Sequence, residues 1–250
     1  MKPYYQDESI ELYLGDCRDV LPGMSADMVL ADPPYGDTSL EWDHWPEGWV
    51  QAVQGALPDD ASLWCFGSMR MHLDRRSDFA AWTYGQELIW EKHNGSGFHA
   101  DRFKRVHEIA LHWYRGSWGD VYKDPQYTND ARARTVRRKT RPTHTGNIEA
   151  SSYTSEDGGP RLVRSVLQVR SMHGKAIHPT EKPLGILDPI IRYSCPPGGI
   201  VLDPTAGSGS TGMAARMSGR RAILIEGRED YCEAAAQRFT QAELTFDAAV

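Results

Sequence analysis

The stretch that decides the fold is GGIVLDPTAGSGSTGMAARMSG, Gly198 to Gly219. A short apolar, β-prone run ends in Asp203-Pro204, a glycine-rich turn follows, and a helix-prone run closes it. Gly207, Gly209 and Gly212 match G-x-G-x-x-G with a strand before and a helix after, the context in which that spacing carries meaning. Glycines there let backbone amides approach a ligand, and a helix N-terminus adds unpaired N–H groups at the positive end of its dipole. The next strand, RAILIE, ends in Glu226, 19 residues after Gly207, where a carboxylate binds ribose hydroxyls. These features predict an adenosine-containing ligand. There is no G-x-x-x-x-G-K-[ST], so the turn is not a P-loop. The fingerprint alone does not separate a nicotinamide cofactor from S-adenosylmethionine. Asp203, just before the turn, repels a pyrophosphate and suits the cationic sulfonium or ammonium of S-adenosylmethionine.

Outward from the turn, KPLGILDPIIRYSC reads as a helix before it, and a C-terminal helix, YCEAAAQRFTQAEL, follows RAILIE. At the other end of the chain ELYLGD and ADMVLADPPY read as strands, WPEGWVQAVQGAL as a helix with Trp45, Trp49, Val53 and Leu57 spaced by four, and ASLWCFGS, YGQELIWEK and RVHEIALHWYRG as three more strands. Strands alternating with helices at both ends predict an α/β fold, a doubly wound, mostly parallel, Rossmann-like sheet. Between them, from about Ser117 to Ala176, lies a poorly periodic stretch rich in Arg, Thr, Ser and Gly, too long for a plain connector.

The second candidate site is Asp32-Pro33-Pro34-Tyr35, at the carboxyl end of a predicted strand, where open α/β sheets bind ligands. The prolines stop the strand near Asp32, fix φ and remove two backbone donors. What remains is a set of acceptors, the Asp32 carboxylate and the Pro33 carbonyl, beside one aromatic face. Two acceptors match the two N–H donors of an exocyclic amino group, and Tyr35 can stack on its ring. Trp42, Trp45 and Trp49 follow; helical core packing is expected for at least two of them.

At these residues the chain resembles the amino-group DNA methyltransferases, which modify adenine N6 or cytosine N4. DPPY and DPTAGSGST look like that family's catalytic and cofactor motifs, and their order, DPPY about 170 residues before the glycine turn, resembles the permuted β group. Gly15-Asp16 resembles the motif whose acid contacts the cofactor's adenine. His178-Pro179-Thr180-Glu181-Lys182-Pro183 resembles the segment preceding the cofactor strand. Glu226, Tyr231, Ala235 and Arg238 fit the acidic strand end and following helix, and His107-Glu108 a late catalytic strand. The resemblance implies Asp32, Pro33, Pro34 and Tyr35 as catalytic residues and S-adenosylmethionine as cofactor. It implies Asp16, Lys182, Asp203, Thr205, Gly207, Gly209, Thr211 and Glu226 as its contacts, with Thr205 standing where the family usually has Phe. Asp32 favours adenine, since the cytosine-N4 members more often carry Ser there. No Pro-Cys dipeptide exists for covalent carbon-5 chemistry.

The resemblance implies three segments: a catalytic half over 1–115, an inserted target-recognition region over 116–176 and a cofactor half over 177–250. Charge supports the middle one. The net charge is −6, yet Lys92 to Ala176 carries 16 Lys and Arg against 8 Asp and Glu. A basic segment on an acidic body points to a polyanion. Arg132, Arg134, Arg137, Arg138, Lys139 and Arg141 are the expected phosphate contacts, with double-stranded DNA as partner. A homodimer and a cognate restriction endonuclease stay open as further partners. His93, His99 and His107 show no metal-ligand spacing, and Cys17, Cys65, Cys195 and Cys232 form neither a C-x-x-C pair nor a disulfide framework. No run of apolar residues is long enough for a membrane span and the start is too polar for a signal peptide, so a cytoplasmic protein is expected.

Three rivals remain. A nicotinamide oxidoreductase explains the glycines but leaves DPPY and the basic insert idle. A protein-glutamine or RNA methyltransferase shares the [N/D]-P-P-Y turn but places its glycine turn first. An inactive DNA-binding relic does not require Asp32, Tyr35, Gly207 and Gly209 to be intact.

Overall fold

Runs such as Met28-Val29-Leu30-Ala31 and Ile200-Val201-Leu202 lack polar alternation, as a strand covered on both faces requires. The computed structural model of the chain sets them side by side within a nine-stranded sheet. The structure describes residues 1–38, 40–93, 100–137, 152–171 and 181–247. In chain order the elements begin β1 (Tyr5–Gln6), β2 (Ile10–Leu14), α1 (Cys17–Val20), β3 (Met28–Ala31), α2 (Trp49–Gln54), β4 (Ser62–Gly67), α3 (Met69–Asp74), β5 (Thr83–Glu91) and β6 (His107–Tyr114). Short strands follow, β7 (Tyr127–Thr128), β8 (Arg134–Arg137), β9 (Ser152–Ser155), β10 (Arg161–Leu162) and β11 (Val166–Gln168). The chain then runs through α4 (Leu184–Ser194), β12 (Ile200–Asp203), α5 (Ser210–Met217), β13 (Arg221–Glu226) and α6 (Glu229–Asp247). It divides into two compact units, 1–124 with 165–250, and 125–164.

The large unit's sheet runs β1-β2-β13-β12-β3-β4-β6-β5-β11. From β2 to β4 every pair is parallel; β6 is antiparallel to both β4 and β5, and β11 returns parallel to β5. From β12 the chain crosses through α5 to β13 on one side, whereas from β3 it crosses through α2 to β4 on the other. The direction of winding therefore reverses between β3 and β12, and the crevice at their carboxyl ends is where such sheets bind ligands. Asp32 and the glycine turn, far apart in sequence, leave the sheet there side by side.

Side chains alternate between two cores. Met28, Leu30, Trp64, Phe66, Val201 and Leu224 join one, under α4, α5 and α6; Val29, Ala31, Leu63, Cys65, Leu202 and Ile225 join the other, under α1, α2 and α3. Gly212 lets α5 close on β13, since a Cβ there would stand 2.7 Å from Leu224 Cδ1.

Two expectations change. The helix read over WPEGWVQAVQGAL is shorter, Trp49–Gln54, because Gly48 adopts φ +82° ahead of it; Trp45 precedes the helix and still packs into the core beside Trp49. A helix, α3, stands between the strands β4 and β5 where the sequence predicts none, started by Ser68, whose hydroxyl accepts from Met71 N–H.

Among its described residues the small unit holds two ribbons. β8 pairs antiparallel with β9, Arg134 opposite Ser155 and Arg137 opposite Ser152, and β7 pairs with β10. Arg132, Arg134 and Arg137 are exposed. Arg138, Lys139, Arg141, His99 and His178-Pro179-Thr180 lie outside the described residues.

Candidate active site

A cavity of about 290 Å³ opens at the reversal point, lined from both motifs and from the end of β2. Asp16, Asp32, Pro33, Pro34, Tyr35, Lys182, Asp203, Thr205, Gly207, Thr211 and Glu226 all border it. Gly209 does not. It sits behind the turn at φ +75°, where an added Cβ would meet Phe239 Cζ at 2.3 Å, so it shapes and packs the turn.

On the cofactor-motif side, the chain's own backbone takes up the carboxylates. Glu226, ending β13, accepts from Gly207 N–H at 2.8 Å through Oε2 and from Arg228 N–H at 2.8 Å through Oε1. Gly209 N–H bonds the Ala206 carbonyl. The amides of Gly207 and Gly209 are therefore spent inside the protein, and the glycines contribute turn geometry. Asp203 accepts from Thr205 N–H at 3.1 Å and from the Thr211 hydroxyl at 2.6 Å. Burial pushes the Asp203 carboxyl up to about 7. Burial likewise raises Glu226. The Thr205 hydroxyl is buried with no hydrogen-bond partner, an open donor on this wall. Asp16 caps α1 and is bonded to Arg18 through both oxygens. Arg238, from α6, donates to Ser208 O and Ser210 Oγ and pairs with the buried Glu181, bracing the turn from behind.

On the DPPY side, Asp43 organises the loop. Its buried carboxylate accepts from the backbone N–H of Tyr35, Gly36 and Thr38 and from the Thr38 hydroxyl. No motif marks Asp43; an acid within a Gly- and Ser-bearing turn is its one signal. Trp42 borders the cavity, edge-on to Tyr231 at 6.3 Å, while Trp45 and Trp49 are core, as the spacing suggested.

Asp32 itself is partnered on one side only. Oδ2 takes the ammonium of Lys182, whereas Oδ1 is buried with no hydrogen-bond partner. Lys182, set by resemblance among the cofactor contacts, stands against the Asp32 carboxylate and lies 3.4 Å from Glu108 Oε2. In the sequence Glu108 stands out only as part of a strand motif; β6 pairs beside β4, which brings it to this edge. Burial pushes Asp32 up, partly offset by Lys182. For Glu108 burial is outweighed by the ammonium groups of Lys182 and Lys92, which hold it low. For Lys182 burial is outweighed by Asp32 and Glu108, which hold it charged.

A doubly wound sheet with an acid-lined crevice and an Asp-Pro-Pro-Tyr acceptor set at its reversal point places the chain among the Rossmann-like folds. The match of the DNA methylase family model, for N6 and N4 enzymes, to residues 26–237 establishes that the chain belongs to that family. It is 26% identical to the type II methyltransferase M.ScaI of Streptomyces caespitosus, over 95% of this chain and 83% of that one. Against the type II methyltransferase M.HinfI of Haemophilus influenzae it is also 26% identical, over 96% and 71%. Two solved structures share the fold. The M1.HpyAVI–SAM complex superposes with a TM-score of 0.63 at 22% identity, over 92% of this chain and 98% of that one. The cytosine-N4-specific PvuII DNA methyltransferase superposes at 0.66 and 18% identity, over 95% and 89%. Among the described residues no group of three or more His, Cys, Asp or Glu is placed to hold a metal, and no helix is long and apolar enough to cross a membrane.

Proposed function

We propose that the protein transfers a methyl group from S-adenosylmethionine to the exocyclic N6 of an adenine flipped out of double-stranded DNA. The observation that carries this is Asp32, a residue that lines the cavity and whose Oδ1 is buried without a hydrogen-bond partner. A buried acceptor without a donor costs about 1–3 kcal/mol, and an amino N–H from a substrate relieves that cost.

The wall formed by Asp16, Asp203, Thr205 and Glu226 fits S-adenosylmethionine: carboxylates for a sulfonium, an ammonium and ribose hydroxyls, and one open hydroxyl. When bound, it supplies a methyl group on a positively charged sulfur. M1.HpyAVI and TTHA0409 of Thermus thermophilus, each solved in complex with S-adenosylmethionine, share this fold, the latter at a TM-score of 0.57. The protein's own part is to prepare the nitrogen. Its lone pair is delocalised into the ring, and bonds from its two hydrogens to Asp32 Oδ1 and the Pro33 carbonyl favour the pyramidal form in which that pair is localised. Tyr35, held by Asp43 through its backbone, offers an aromatic face for the base. Asp32 Oδ1 is also the acceptor within reach of the proton that the nitrogen sheds. The target is buried in the duplex stack, so flipping precedes all of this. Arg132, Arg134 and Arg137 of the small unit supply phosphate contacts, with Arg138, Lys139 and Arg141 expected to add to them.

Expression in a methylation-free host, followed by nucleoside mass analysis of its DNA and modification-sensitive sequencing, tests the reading. A dominant N6-methyladenine peak at a defined sequence supports it; a methylcytosine peak transfers the same site to N4 chemistry, and unmodified DNA overturns it.

A further inference from the structure

A chain of alternating charges runs beneath the catalytic turn. Lys182 Nζ, whose side chain is 6% exposed, bonds Asp32 Oδ2 and faces Glu108 Oε2 at 3.4 Å. The other oxygen of Glu108 takes the ammonium of Lys92. Lys92 lies over the Trp90 ring at 4.6 Å and Lys182 over the Phe66 ring at 5.2 Å. The four charged residues come from four places: the end of β3, the segment before α4, the start of β6 and the residue after β5. Desolvating such a set is costly, and apolar residues of similar size often stabilise a fold equally well, so stability alone is a weak reason to keep it. Asp32, which lines the cavity, keeps Oδ1 buried and without a hydrogen-bond partner.

We infer that Lys182, fixed from behind by Glu108 and Lys92, is a positioning residue that anchors Asp32 through Oδ2 and leaves Oδ1 turned to the target amino group, and that it is not the cofactor's carboxylate partner. The inference rests on the reading of Asp32 as acceptor. Without the ammonium, Asp32 and Glu108 confront each other as two buried carboxylates; one then takes a proton, and a protonated Asp32 no longer offers two acceptors. Among the described residues the other groups facing Asp32 do not supply a replacement cation at contact distance: Tyr35 from its own turn, Cys65 from β4 and Asp203 from β12 are neutral or acidic, and Lys92 is held by Glu108.

The test is methyl transfer to unmodified genomic DNA as a function of pH, beside calorimetric S-adenosylmethionine binding, for the full chain and three variants. Lys182→Met should lower kcat at neutral pH by about 100-fold and move the acidic limb of the kcat profile up by about one unit or more, with the cofactor Kd within about threefold. Lys182→Arg keeps the charge and should keep the limb where the wild type has it. Glu108→Gln removes the like charge and should move the limb the opposite way, to lower pH. A roughly tenfold weaker cofactor Kd in Lys182→Met with kcat at saturation unchanged would make Lys182 a cofactor contact and overturn the inference. So would a limb that stays put in both Lys182→Met and Glu108→Gln. If Lys182→Met does not fold, the limb of Glu108→Gln decides alone. Failure of the wild type to methylate DNA is a different result, and it takes down the reading of Asp32 itself.

Discussion

Asp203 and Asp32 leave the carboxyl ends of neighbouring parallel strands, β12 and β3, and meet opposite fates. Asp203 is filled by its own turn, one oxygen on Thr205 N–H and the other on the Thr211 hydroxyl. For Asp32, a lysine from a distant segment takes Oδ2, and Oδ1 is buried without a hydrogen-bond partner. The difference separates two uses of a buried carboxylate. Bonded by local amides and hydroxyls, it fixes backbone shape, and burial lets it hold a proton near neutral pH in spite of those bonds. Paired with a cation on one side, it stays a directed acceptor on the other.

The sharpest way to break that contrast is Asp32→Ala, expected to abolish methyl transfer while S-adenosylmethionine binding stays within a few-fold. Retention of more than about a tenth of wild-type turnover, a loss under ~1.4 kcal/mol, would show that Oδ1 is not the essential acceptor.

On the other wall, substitutions should act through shape and cofactor affinity. Gly209→Ala puts a side chain at positive φ against Phe239, and an unfolding loss of about 2–4 kcal/mol is expected from strain plus overpacking. An unchanged melting temperature would mean that the turn relaxes freely. Glu226→Ala removes a charged acceptor that also holds Gly207; cofactor binding should weaken by about 1.5–3 kcal/mol with DNA affinity little changed. Calorimetry that shows wild-type affinity would take Glu226 out of the site.

The basic ribbon serves as the control for both walls. Arg134→Gln with Arg137→Gln should leave cofactor affinity alone, weaken DNA binding at every sequence and flatten the slope of log K against log salt by about 2. A slope identical to wild type would leave those arginines without a phosphate partner.

The smallest effect concerns protons at Asp203. Its folded pKa, about 7, lies above the ordinary 3.8, so the folded chain keeps a proton that the unfolded chain loses. The stability from this group is therefore full below pH 3.8 and falls as pH rises towards 7, and Asp203→Asn should flatten melting temperature against pH in that window. A cationic ligand beside Asp203 favours the carboxylate, so S-adenosylmethionine binding at about pH 6.5 should release up to about one proton. Binding heats that do not vary with the ionisation heat of the buffer would show Asp203 to be electrostatically remote from the ligand.

The sequence by itself determined the strands that carry the two motifs, the glycine turn and the DPPY turn, but not β1 or the short strands β7 to β11 of the poorly periodic stretch. Local signals sufficed: apolar runs closed by Asp-Pro, glycines where φ must be positive, and an acid at the end of RAILIE. It also named both walls of the cavity, since turn residues and acids at strand ends carry their chemistry in the residue type. It could not show that Gly207 N–H is taken by Glu226, because that bond joins two separate strand ends, nor that Gly209 faces Phe239 instead of a ligand. The segment 94–99 and the residues 138–151 and 172–180 hold sequence signals that remain expectations, Arg138, Lys139 and Arg141 among them. Above all, only the tertiary structure decided which carboxylates Lys182 meets. A lysine beside a cofactor strand reads equally well as a partner for any carboxylate; which one it meets is set by strand order. Placing β12 beside β3 and β6 beside β4 brings Asp32, Glu108 and Lys182 to one edge, and long-range pairing of that kind leaves no periodicity in the chain to be read.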